Sequence, residues 1–155
     1  MINGFALEIK TNHGIADIKT LENCYYQIYH NEPIDEAGYM FVFDNQHALN
    51  SLVDGLTGYN LIEEVHELLL LDELITFEKF SDYGWKGKFY YLYRDIVLPF
   101  KISAGDEIQI KMARLQIEEN LIAYNVEKQL FFVDAQFKEL IEGYANAYEI
   151  HVEFI

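Results

Sequence analysis

Residues 60–71 read NLIEEVHELLLL. Leu61, Val65, Leu68 and Leu69 recur at helical spacing, and Glu63, Glu64 and Glu67 fall off that stripe. Asn60, followed three residues later by Glu63, has the spacing of a capping box. The stretch therefore predicts an amphipathic helix with its acids turned outward. On such a helix Glu63 and Glu67 lie about 6 Å apart along the axis, with Glu64 beside them. Asp72 and Glu73 extend the negative field past its end.

Before this stretch, Phe5, Leu7 and Ile9 alternate with Ala6, Glu8 and Lys10, predicting a strand that stops at the Asn12-His13-Gly14 turn. Ile18, Leu21, Tyr25 and Ile28 predict a helix, residues 31–38 a loop, and residues 39–43 a short strand. Asp44 is positioned to cap a helix that buries Ala48, Leu49, Leu52 and Val53 and ends near Gly55.

After it, residues 75–80 read as a strand. A Gly84–Gly87 turn leads into one long strand through residue 100, with Pro99 placing its end at a sheet edge. Residues 107–118 fit a bulged strand or an amphipathic helix; the alternation of Ile108, Ile110 and Met112 favours the strand. A hairpin around Glu127-Lys128, a helix capped by Asp134 and a closing strand complete the chain. The expected fold is α+β over a single domain, residues 1–155: a mixed or antiparallel sheet and three or four helices, with an acidic helical first half and a strand-rich second half. No internal repeat or linker is visible.

Charge is distributed unevenly. The chain has 155 residues and a formal net charge of -15. From Thr20 to Glu78 there is no Lys or Arg, and these 59 residues hold twelve acids, so they carry -12 while the other 96 carry -3. Phosphates would be repelled over nearly half of the chain, which argues against direct nucleic-acid binding and for a basic partner, or simply for solubility. The counter-example is residues 83–101, YGWKGKFYYLYRDIVLPFK, with four of the eleven cations among many aromatics. Interleaving of this kind can stack bases. Alternation nevertheless gives Tyr90, Leu92, Ile96, Leu98 and Phe100 a place in the core, so the strip reads as scaffold.

Motifs for chemistry are absent. His66-Glu67 opens like a zinc-protease helix, but Leu70 stands where the second histidine is needed. Residues 44–50 lack the ligands and glycine of an EF-hand loop. His151 and Glu153 could share a strand face, and a solvated face is the simpler reading. Cys24 has no neighbouring cation and reads as a buried thiol. Gly84-Trp85-Lys86-Gly87 matches GxxG only in letters, since it joins strands rather than helices. The expectation is a non-enzyme with no cofactor and no metal.

The beginning of the chain, MINGFALEIK, lacks the character of a signal peptide, and no run approaches about 18 apolar residues. A cytoplasmic protein with no membrane partner is expected. In size and charge the chain is similar to small acidic inhibitors encoded by phages and mobile elements, which block restriction, CRISPR or DNA-repair proteins. That resemblance implies a place in the host cytoplasm and a basic, nucleic-acid-handling protein as target, engaged through partial nucleic-acid mimicry. The candidate contact residues are Glu63, Glu64, Glu67, Asp72, Glu73, Asp35, Glu36, Asp44 and Asp54. One alternative is an immunity protein or antitoxin neutralising a basic toxin nuclease. Another is a small enzyme or ligand-binding domain with a Tyr/His/Glu pocket.

Overall fold

A computed structural model describes residues 1–11 and 17–155. The expected turn at Asn12-His13-Gly14 lies outside the described residues. Among them are four α-helices and eleven strands, paired antiparallel in two sheets, so the fold is α+β. The chain forms two compact units: Met1–Leu70 with Lys86–Tyr91, and Leu71–Trp85 with Leu92–Ile155.

The first unit begins with β1 (Ile2–Ile9), α1 (Ile18–His30), β2 (Asp35–Ala37), β3 (Met40–Phe43), α2 (Gln46–Leu56) and β4 (Ile62–Leu71). The Asp17 carboxylate caps α1, accepting from Thr20 N–H at 2.7 Å. Asn45, rather than the expected Asp44, caps α2, its side chain accepting from the N–H groups of His47 and Ala48. Both helices bury one stripe against one face of the sheet: Cys24, Ile28, Leu49 and Leu52 meet Leu7, Ile9, Phe41 and Phe43. The expected loop over 31–38 contains a strand after all, since β2 pairs with β3 through Asp35–Val42 and Ala37–Met40.

The main correction concerns residues 60–71, which form a strand and not a helix. β4 runs antiparallel to β1, with Ile2 opposite Leu70 and Glu8 opposite Glu64. Asn60 opens no helix; it takes a left-handed backbone, φ 53, and ends the 3-10 turn Thr57–Tyr59. Leu68, Leu69, Leu70 and Leu71 are all buried. A helix exposes part of every four consecutive residues, whereas a strand covered on both faces hides all of them. Four adjacent leucines thus outweighed the helical spacing of the residues before them.

β6 (Gly84–Lys86) and β7 (Tyr90–Tyr93) complete the first sheet, in the order β2-β3-β1-β4-β7-β6. With strands about 4.8 Å apart, a flat sheet would hold β2 and β7 about 19 Å from one another. Asp35 Oδ2 nevertheless accepts from Tyr91 OH at 2.8 Å and from Lys88 N–H at 2.7 Å. The sheet is therefore strongly curled. The face away from the helices, which carries Asp35, Val42, Ala6 and His66 in one cross-strand row, lines its concave side.

The second unit holds β5 (Ile75–Thr76), β8 (Val97–Ala104), α3 (Glu107–Glu118), β9 (Ala123–Asn125), β10 (Leu130–Asp134), α4 (Lys138–Ala147) and β11 (His151–Phe154). Its sheet runs β11-β8-β10-β9-β5. The expected strand over 75–80 is cut to two residues by a 3-10 turn at Glu78–Asp82. The long strand expected up to residue 100 is two strands in different sheets, β7 and β8, separated by the exposed turn residues Arg94, Asp95 and Ile96. Pro99 is not on an edge strand, because β8 lies between β11 and β10. It sits where the β11 ladder runs out, one residue past the Phe154–Phe100 pair, its carbonyl accepting from Ile155 N–H.

Residues 107–118 are the reverse correction: the expected strand is the helix α3. Asp106 caps it, accepting from Ile108 N–H at 2.9 Å. Ala113 and Ile117 face the core while Ile108, Met112 and Leu115 are exposed. Apolar residues on both sides blur the helical period and mimic alternation. The β9–β10 hairpin and the final strand follow the expectation. Asp134, expected to cap the following helix, caps a 3-10 turn at Ala135–Phe137, and α4 begins after it at Lys138 with no side-chain cap. With α3 and α4 in the second half and β1 to β4 in the first, the expected division into a helical and a strand-rich half does not hold.

The order of elements reveals a repeat that no sequence periodicity announces. β1-α1-β2-β3-α2-β4 and β8-α3-β9-β10-α4-β11 are the same succession. Their strands also lie in the same order, β2-β3-β1-β4 and β9-β10-β8-β11, antiparallel throughout. Each is a split βαβ, or ferredoxin-like, arrangement. The third strands end alike, on Phe41-Val42-Phe43-Asp44-Asn45-Gln46 and Phe131-Phe132-Val133-Asp134-Ala135-Gln136. Such a topology hosts many unrelated functions and by itself names none.

Candidate functional site

The acidic segment keeps its charge on the surface. Of the twelve acids between Thr20 and Glu78, eleven are exposed, and Asp35 is half-buried. Their arrangement differs from the row expected on a helix. Four residues of strand span about 13 Å, so Glu63 and Glu67 are twice as far apart along β4 as helical geometry would place them. The register separates them further. Glu67 stands opposite Phe5, on the helix-packed face; Glu64 stands opposite Glu8, on the concave face; Glu63 is the extra residue at the bulge, where Ile9 opposes Ile62. Asp72 and Glu73 follow β4 in the second unit, and the Glu73 carbonyl accepts from Asn125 Nδ2 at 2.7 Å.

Asp44 immediately precedes the α2 cap, and Asp54 lies in the last turn of that helix, where the macrodipole disfavours an anion. Glu36 accepts from Tyr29 OH at 2.8 Å. Asp35 is held as part of the framework. Partial burial pushes its carboxyl up, but bonds from Lys88 N–H, Tyr91 OH and Glu36 N–H outweigh that and leave it below the usual carboxylate range. Gly87 is required beside it, because a Cβ there would fall inside contact distance of Asp35 Oδ2. Tyr91 itself is pushed well up, first by burial and then by the bond to Asp35.

The basic aromatic strip is structural in detail. Tyr91, Leu92, Val97 and Phe100 are buried. Lys86 Nζ lies 3.7 Å from the centre of the Tyr90 ring, and the Trp85 and Tyr93 rings are 5.5 Å apart. Cys24 is buried, and that burial pushes its thiol up, away from reactivity. His151 and Glu153 are exposed, with Glu153 paired to Lys101 at 3.1 Å.

The curled sheet assembles one constellation that the helical reading hid. Glu8 on β1 and Glu64 and His66 on β4 bring ligand-type atoms within 4.8 Å of one another, and His66 Nε2 lies 2.8 Å from Glu8 Oε2. Glu64 and His66 are two residues apart, so a strand puts both on one face; a helix would have spread them around its circumference. The spacing was present in the sequence, but it becomes a site only once 60–71 is a strand. In the second unit, Tyr83 donates to Asp134 Oδ2 at 2.5 Å at the edge of a cleft of about 290 Å³ that also exposes Asp82 and Asp95. The bond to Asp134, with some burial, pushes the Tyr83 phenol up to about 12.

Compared with family models, curated proteins and solved structures, the chain matches none. No helix among the described residues is long and apolar enough to cross a membrane.

Proposed function

We propose that the protein is a non-enzymatic binding protein whose acidic surface occupies a basic, nucleic-acid-handling protein. The observation that supports this reading is the cation-free segment from Thr20 to Glu78, eleven of whose twelve acids are exposed. Carboxylates spread over a surface stand in for phosphates in the field they generate, and they speed encounter with a basic partner through long-range steering. The strand geometry turns Glu64 and Glu67 to opposite faces of β4, so the reading rests on the negative field of the whole segment rather than on one helical row.

The test is capture from bacterial lysate at low and high salt, with and without duplex DNA, read by mass spectrometry. A basic nucleic-acid enzyme that DNA displaces is the expected result. A basic nuclease indifferent to DNA would move the reading to an immunity protein or antitoxin. Once a partner is in hand, the combined variant Glu63→Gln, Glu67→Gln, Asp72→Asn and Glu73→Gln is expected to weaken binding about tenfold or more and to flatten its salt dependence. Undiminished binding would remove these acids from the contact surface. Asp35 is kept out of that set because its carboxylate holds the sheet together.

A further inference from the structure

We propose that Glu8, Glu64 and His66 form a binding site for a divalent first-row transition ion, a site that shares only Glu64 with the acids proposed to meet a protein partner. β1 and β4 are adjacent strands, and Glu8 stands directly opposite Glu64. Like charges in that position destabilise a sheet unless something positive lies between them. The same face carries His66 one pair further along, opposite Ala6, whose small side chain leaves the imidazole room to lean toward Glu8. The imidazole Nε2 lies 2.8 Å from Glu8 Oε2, so a nitrogen donor already sits against that carboxylate. A divalent ion held among the three side chains neutralises both carboxylates at once.

The donor set selects the ion. Two carboxylates and one imidazole are an N/O set suited to zinc and its first-row neighbours, whereas calcium and magnesium take oxygen ligands alone. Ligands of a tetrahedral zinc ion lie about 3.3 Å apart, given metal–ligand distances of about 2.0 Å. The three donor atoms, all within 4.8 Å of one another, need only small rotations of the two glutamate side chains to reach that spacing. The backbone beneath them is rigid, because both strands are interior to the sheet. His66 and Glu8 are partly buried, with side chains 19% and 36% exposed. Three protein ligands leave at least one position for water or for a donor from a bound molecule.

The experiment is titration of the full chain with Co(II) at neutral pH, followed by visible absorption, and then displacement by Zn(II). One equivalent of Co(II) with the bands of a low-coordinate, nitrogen-ligated ion is expected, and Zn(II) should abolish them. His66→Gln and Glu64→Gln are each expected to weaken binding by about tenfold or more. Glu64 is exposed, so its amide variant folds and removes only a ligand. The proposal is overturned if the chain binds no Co(II), or if both variants bind as the parent does, which would place the ion at other histidines or acids. It is equally overturned if Ca(II) displaces Co(II) as well as Zn(II) does, because then the carboxylates act as a bare acidic patch.

Discussion

Asp35 shows how one residue can be misread from its neighbours. In the sequence it sits beside Glu36 in a polar stretch and passes for a solvated surface acid. In the structure its two oxygens take three hydrogen bonds, one of them from the buried Tyr91 across the curl of the sheet. Nothing local announces this, since Tyr91 lies 56 residues away. Tyr91→Phe keeps the buried ring and removes the hydroxyl, so it should cost about 1.5–3 kcal/mol, the range for bonds to charged groups. Because the folded Asp35 carboxyl is held below its ordinary value, its contribution is present above the unfolded pKa of about 3.9 and is lost as pH falls through the folded one. Denaturation of both proteins from pH 7 to pH 2 should therefore show the gap closing below about pH 4. A gap of constant size would mean that the bond does not depend on the ionised carboxylate.

At the scale of elements, two segments exchanged identities, one for a tertiary reason and the other for a local one. Residues 60–71 have helical spacing in their first half, but the burial of Leu68 to Leu71 on both faces of a sheet decides the outcome. Residues 107–118 have alternation at their start, yet Gly105 and Asp106 begin a helix there. Gly105 takes a backbone angle, φ 152, that other residues avoid, and Asp106 supplies the cap. The two assignments are separable by mutation. Glu67 is turned outward in the helical reading and is exposed on β4. On a helix Glu67→Thr would destabilise by a few tenths of a kcal/mol, whereas on β4 it should stabilise by about 0.5 kcal/mol. Urea denaturation reads the sign directly. The candidate site followed the same fate: the nine acids were legible as charge, but Glu8, Glu64 and His66 as a cluster depended on β4 being a strand.

Over the whole molecule the dominant features are the repeated βαββαβ topology and the net charge of -15. The repeat escapes the sequence because the two copies share topology and nearly the same element lengths but not the residues that fill them. β1 and β8 both have 8 residues, and only β4, with 10, differs strongly from its counterpart β11, with 4. An excess of negative charge repels itself in the compact state. Raising ionic strength from about 0.01 to 0.15 M shortens the screening length from about 30 to 8 Å. The thermal midpoint should rise over that range by about 2–4 °C, the equivalent of about 1 kcal/mol for a chain of this size. Scanning calorimetry measures it; an unchanged midpoint would mean that the acids are already compensated in the folded protein.

What the amino-acid order determined by itself was the α+β class, the cation-free acidic segment, and those elements whose hydrophobic period is clear, such as α1, the β9–β10 hairpin and α4. These depend on interactions within a few residues. The helix over 107–118 was also set locally, by Gly105 and Asp106, and was masked only by apolar residues on both of its sides. The tertiary structure decided the rest: that 60–71 is a strand, that Asp35 belongs to the framework, and that two glutamates and a histidine share one face. Each of these turns on which surfaces meet across 50 or more residues of chain, or on burial on two faces at once, and local periodicity carries no information about either.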